Sequence, residues 1–270
     1  MENNDSSYLR DIANYLWSYH ASIIVGAGFS KNAIPIRETS KKFLDGKELG
    51  DIFYQELHKD DPNDSNRTDY DITTLAEKIE GMKGRPALDK LIIDSLPDKE
   101  YKPSELHKNL LRLPWNNVFT TNYDTLLERT AKIISEKKYS IIKKTEDFRP
   151  SEIPRIIKIH GSLPKGPFTI TREDYRTYQQ KNTKFVIEVK HSVIHDILCL
   201  IGYSANDRDF LDLIGWIKDK NIEDAKEYII YYISATLIQQ EDKKLLEKEH
   251  IAPIDYFCKE TNNPQKAITH

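Results

Sequence analysis

Cysteine is almost missing from this sequence: Cys199 and Cys258 are the two in 270 residues. Two thiols can build neither a disulfide framework nor a four-thiolate zinc site, so the chain reads as cytoplasmic and metal-free. Cys199 lies in an apolar run and reads as a small buried hydrophobe. Long apolar stretches are missing as well, and none approaches the ~20 residues of a membrane span. The opening segment, Met1 to Asp5, is polar and acidic, unlike a signal peptide. There is no excess of basic charge either. The net charge is -3 and the pI about 6.3, so nothing global draws the chain to nucleic acid or anionic lipid. Internal repeats and low-complexity tracts are also absent.

What is present is the composition of a globular protein, 39% hydrophobic and 31% charged. The length suits one large α/β domain with room for a small insertion. Asp5 or Ser6 can cap a helix carrying Leu9, Ile12, Ala13, Leu16 and Trp17 at helical spacing. Ala21 to Val25 reads as a strand running into Gly26-Ala27-Gly28. Helical patterns at Asp51 to His58 and Leu88 to Leu96 follow, broken by the polar stretch Asp60 to Asp69 and by Gly81 and Gly84. The segment from about 51 to 112 thus reads as an inserted helical subdomain. Strand-like runs return at Asn117 to Thr120, Arg155 to Ile159, Ile197 to Ile201, Tyr228 to Ile233 and Ile251 to Phe257. Helical patterns at Tyr123 to Ile134, Asp207 to Lys218 and Gln239 to Glu247 separate most of them. This alternation predicts an α/β fold, a Rossmann-like parallel sheet flanked by helices. The domain is expected over 1–258, with 259–270 as a frayed tail.

Four of the predicted strands end in polar or glycine motifs. Gly26-Ala27-Gly28-Phe29-Ser30 follows the first strand, where glycines let backbone approach a pyrophosphate. Lys31 stands where the usual third glycine would be, so this fingerprint is incomplete, and an ordinary strand-to-helix turn reads equally well. Thr120-Thr121-Asn122-Tyr123-Asp124 follows the second. Its polar side chains either face a ligand crevice or cap the helix from Tyr123. His160 and Gly161 end the third strand; an imidazole there suits general acid-base work, although a lone histidine is more often structural. Gly202-Tyr203-Ser204 ends the fourth. Gly202 permits close approach, Ser204 can bond a phosphate or ribose, and Asp207 reads as the cap of the next helix.

All four motifs belong on one rim of the sheet. Taken in order with Ile34-Pro35-x-Arg37, they resemble the sirtuin family over roughly residues 20 to 257. The resemblance implies roles. Gly26, Ala27, Gly28 and Ser30 would cradle the NAD pyrophosphate, and Arg37 would sit in a loop closing over it. Thr121, Asn122 and Asp124 would line the nicotinamide-ribose pocket, with His160 as general base. Gly202 and Ser204 would hold the adenosine half. Two features depart from the protein-deacylating sirtuins. Ala33 replaces the glycine before Ile34-Pro35. The region after His160-Gly161, Thr169 to Tyr175, lacks the four cysteines of their zinc module. The spelling instead looks like the sirtuin-like branch of bacterial anti-phage defence, which implies NAD+ hydrolysis to nicotinamide and ADP-ribose. A silent NAD or ADP-ribose sensor and a protein deacylase are the alternatives. The resemblance further implies a partner, a HerA-type ATPase first and an Argonaute second, with nucleic acid reached only through that partner. A homo-oligomer is expected because symmetric packing of the inserted helices is a common way to lock the loop after the glycine turn.

Overall fold

Ala21–Val25 (β1) is buried at every position and lies at the centre of a seven-stranded sheet. The protein is described here by a computed structural model covering residues 4–38, 41–59, 71–204, 214–215 and 230–255. The remaining strands of that sheet are Asn117–Thr120 (β4), Ser140–Ile142 (β5), Arg155–Lys158 (β6), Ile197–Ile201 (β7), Ile230–Ser234 (β8) and Ile251–Asp255 (β9). Between them in sequence, Ile34–Pro35 (β2) and Tyr101–Lys102 (β3) form a separate antiparallel pair. The large sheet has the order β5-β6-β4-β1-β7-β8-β9, and every neighbouring pair is parallel. After β1 the chain builds one side of the sheet, then returns to lay β7 on the other. The β1/β7 boundary is therefore a topological switch point, where such sheets bind ligands beyond their strand ends.

Alternation along the strands divides the core in two. Ile23 and Val25 face a layer with Ile12 and Leu16 of α1 (Asn4–Trp17), whereas Ile24 faces the opposite layer with Val189 and Val193. The predicted α1 stripe needs a correction. Leu9, Ala13 and Trp17 are exposed, Trp17 at 87%, because the buried face runs Tyr8, Ile12, Tyr15, Leu16 and each of the three falls ~100° further round the helix.

Most of the described residues within the predicted insertion at about 51–112 are helical. Helices α3 (Gly46–Leu57), α4 (Ile72–Lys83) and α5 (Arg85–Ser95) supply most of them, following the single turn α2 (Ala27–Ser30). Gly81 lies inside α4, and the break comes at Gly84, whose φ is +81°. These helices share a cluster of Phe53, Leu75, Ile79, Leu88 and Ile92, closed by Leu163, Phe168 and Ile170 from the segment after His160. The next helix, α6 (Glu105–Arg112), packs Leu110 and Leu111 against the sheet instead.

The later strands fall close to their predicted positions. The edge strand β5 is only three residues long and leaves no readable pattern. Helix α7 (Leu126–Ile133) begins three residues after the predicted start at Tyr123. Helices α8 (Arg172–Lys181), α9 (Thr183–His195) and α10 (Gln240–Lys248) complete the layers. The predicted helix at 207–218 falls largely outside the described residues; Asp207, Cys258 and the tail 259–270 lie wholly outside them. No helix among the described residues is long and apolar enough to cross a membrane.

Candidate functional site

Strand register aligns the motifs. Val25 pairs with Thr120 and with Ile201, and Thr120 pairs with Lys158. The ends of β6, β4, β1 and β7 thus form one row, and the four motifs begin at or just beyond it. Asn122 and His160 each stand two residues past a paired position on adjacent strands.

The Asn122 amide is fixed from two sides. Its Nδ2 donates to the Gly26 carbonyl at 3.0 Å and to Ser30 Oγ at 3.0 Å. Since a carbonyl can only accept, these bonds settle which amide atom is nitrogen. The other atom, Oδ1, is buried and has no hydrogen-bond partner among the described residues. Buried acceptors are rarely left open, and this one lies at the strand-end rim. Ser30 Oγ in turn donates to Asp124 Oδ2 at 2.6 Å, and Asp124 Oδ1 accepts from Leu126 N–H at 3.0 Å. Asn122, Ser30 and Asp124 therefore form a relay linking β1 to β4.

The capping alternative for Thr121 and Asn122 does not hold. The α7 N-cap is Thr125, whose N–H and hydroxyl both donate to Asp98, each at 2.7 Å. Asn122 is turned toward β1, and Thr121 shares a hydrogen bond of 3.0 Å with Tyr203 Oη.

Beneath the relay lies a charge network that the motif reading missed. Lys158, 1% exposed, donates to the Asp124 carbonyl at 2.5 Å and pairs with Glu128 at 3.5 Å. Glu128 also meets Lys143 at 3.2 Å and accepts from Ser162 Oγ at 3.2 Å. Burial pushes the Asp124 carboxyl above the usual carboxylate range, against the pull of Lys158 and Ser30. Burial acts the same way on Glu128, but Lys158 and Lys143 outweigh it and hold that carboxyl low. The available signal was Lys158 itself, a cation inside the apolar strand Ile156 to Ile159. Such a charge needs paired acids.

His160 is buried, with its ring against the edges of Tyr175 and Tyr178, each centroid 5.4 Å away. Its carbonyl accepts from Thr169 N–H at 3.0 Å, and Tyr178 Oη donates to the preceding carbonyl of Ile159. Gly161 has φ +103°, and a Cβ there would strike the Pro167 carbonyl oxygen, so only glycine fits after the histidine.

The glycine turn sits at the switch point. Gly26 N–H donates to the Ile201 carbonyl at 2.8 Å, and Gly28 N–H to the Gly202 carbonyl at 2.9 Å. Ala27 opens the single turn α2, and Ser30 points inward to Asp124. Arg37 and Ser204 are both exposed, Arg37 just after β2 and Ser204 just after β7. Neither joins the Asn122 relay. Among the described residues no three His, Cys, Asp or Glu side chains gather as metal ligands.

The sequence profile of the SIR2-like domain matches residues 116–254, more than half of the chain. The chain belongs to the SIR2-like family. The matched stretch holds Asn122, Asp124, His160, Gly202 and Ser204, while the glycine turn precedes it. NAD(+) hydrolase ThsA of Cytobacillus dafuensis is 25% identical over 228 residues, 83% of this chain and 43% of that protein. Defense-associated sirtuin 2 of Bacillus subtilis is 25% identical over 224 residues, 81% of this chain and 21% of that protein. The chain thus spans less than half the length of these relatives. A solved Sir2 enzyme, 14% identical, superposes with a TM-score of 0.46 over 97% of this chain and 95% of that one.

Proposed function

We propose that this SIR2-like chain cleaves NAD+ at the nicotinamide–ribose bond, releasing nicotinamide and ADP-ribose, as the effector of an anti-phage defence. Its family and the names of its relatives, a NAD(+) hydrolase and a defense-associated sirtuin, support the substrate and the setting. The observation that carries the chemistry is Asn122 Oδ1, a buried open acceptor at the strand-end rim.

The scissile bond joins ribose to a cationic base that departs neutral, so the transition state is oxocarbenium-like. The enzyme must hold the ribose and deliver a nucleophile. Asn122 Oδ1 accepts a hydrogen bond from the attacking water or a ribose hydroxyl and orients it. His160, one strand over, takes the proton as general base. Asp124 acts through Ser30, holding the Asn122 amide in place. The turn at Gly26, Ala27 and Gly28 receives the pyrophosphate, Gly202 and Ser204 receive the adenosine half, and Arg37 lies on the loop that closes over them. No metal takes part.

Activity is gated, because an unrestrained NAD hydrolase would starve its own cytoplasm. The gate is the 30–40 loop with the helices α3 to α5. Lys31, directly after the glycine turn, pairs with Asp45 at 2.7 Å and Glu48 at 2.8 Å at the start of α3. Self-assembly or a partner releases it; a HerA-type ATPase is the first candidate and an Argonaute the second. The test is to incubate the pure chain with NAD+ and follow nicotinamide by chromatography, alone and with the neighbouring gene product. Release in either arm supports the reading. ADP-ribose binding with no release in both arms leaves a sensor, and acyl-peptide turnover would make it a deacylase.

A further inference from the structure

The crevice of a doubly wound sheet opens at its switch point, here between the ends of β1 and β7. A side chain lies across that opening. Tyr203, between Gly202 and Ser204, lays its ring over the turn after β1. Ring atoms Cε1 and Cζ are each 2.8 Å from where a Cβ on Gly26 would stand. Its hydroxyl reaches Thr121 Oγ1 at the end of β4, 3.0 Å away. One side chain therefore bridges the ends of three adjacent strands, β7, β1 and β4. Its backbone is held from two sides. The Gly202 carbonyl accepts from Gly28 N–H at 2.9 Å, and the Tyr203 carbonyl accepts from Tyr232 Oη at 2.6 Å. The ring also packs against the core cluster that holds Ile24 and Leu200, so opening means rotating it off that cluster about its side-chain torsions while the backbone stays in place.

We propose that Tyr203 is a stopper that the dinucleotide substrate must displace: the ring leaves Gly26 and releases Thr121 before the pyrophosphate and ribose can seat. This rests on the NAD+ reading given above. Thr121 latches the closed form and, once released, offers its hydroxyl to the ribose. A Cβ on Gly26 would meet the Gly202 carbonyl oxygen at 2.7 Å as well as the ring, so glycine is required there in the closed and the open form. A closed majority lowers apparent affinity by the open fraction, so Tyr203 sets substrate affinity and leaves the chemical step to Asn122 and His160.

The test uses the full chain and ADP-ribose in titration calorimetry, with steady-state NAD+ turnover wherever activity is present. Tyr203→Phe removes the latch bond and keeps the ring, so ADP-ribose binds about fivefold more tightly. Tyr203→Ala removes both and gains at least as much, with a matching fall in KM and no change in kcat. Circular dichroism and melting curves show whether each variant is folded, and the Phe variant preserves the packing if the Ala variant does not fold. Unchanged or weaker ADP-ribose binding by folded Tyr203→Phe overturns the stopper while the NAD+ reading stands, provided the wild type binds. Absence of both binding and turnover in every form overturns the NAD+ reading and the stopper with it.

Discussion

Asn122 has its amide nitrogen committed to Gly26 and Ser30 and its oxygen open, so truncating it separates chemistry from folding. Asn122→Ala should lower kcat for nicotinamide release by about 100-fold or more. Losing its two donated bonds should cost only about 1–3 kcal/mol of stability. His160→Ala should lower kcat by about 100-fold to 10,000-fold. Chromatographic assays beside melting curves check both, and wild-type turnover in folded variants would remove these residues from the mechanism. Gly202 makes the opposite kind of prediction. Its φ is +80°, and a Cβ there would lie 2.7 Å from Phe29 N. Gly202→Ala should therefore destabilise the fold by about 2 kcal/mol or more, measured by urea denaturation. These positions differ in legibility. His160 and Asn122 stood out as polar residues at strand ends. Lys158 was visible as a lone cation in an apolar strand, but neither its partner Glu128 nor the contacts of Tyr203 were, because the sequence does not say which elements will meet.

At the scale of single elements, α6 carries a pH response. Ser104 precedes it, and the Ser104 N–H and Oγ both meet His107 Nδ1, at 3.3 Å and 2.9 Å. His107 is buried with its ring against Phe29, and burial, with the nearby Arg129 charge, pushes its imidazole down to about 4. In the unfolded chain it titrates near ~6.5. Above that value both states are neutral and nothing is lost. As pH falls from about 6.5 to about 4 the unfolded state takes up the proton first, and stability drops by about 3 kcal/mol before levelling. His107→Gln keeps a side chain able to serve the cap and removes the titration. Urea midpoints between pH 7 and pH 4 should therefore fall less steeply in the variant; parallel curves would exclude His107 as the source.

At the scale of the whole molecule, the predictions concern gating and metal. Lys31 ties the loop after the glycine turn to α3 through two half-exposed carboxylates, a contact that another surface could displace at little cost. The isolated chain should be weakly active, and a partner or self-assembly should raise turnover. Measuring particle mass and nicotinamide release on the same samples checks this. A fully active monomer, indifferent to any partner, would end the gating proposal. Turnover should also survive EDTA, with no stoichiometric zinc by elemental analysis, because two cysteines cannot furnish a structural thiolate site. Tightly bound zinc would overturn that argument.

Sequence alone determined the class of fold and the rim on which its polar motifs lie. Buried parallel strands must be nearly all apolar, so the polar and glycine residues that end them are conspicuous, and strand–helix alternation implies parallel pairing. The tertiary structure decided which strands are neighbours, and with that which motifs touch. Ser30 meets Asp124, Tyr203 covers Gly26, and Lys158 finds Glu128 only once β6, β4, β1 and β7 lie side by side. It also moved the start of α7 to Leu126, because Asp98, distant in sequence, holds Thr125. Local pattern records what a residue can bury; partners far along the chain depend on strand order and register, which no local pattern encodes.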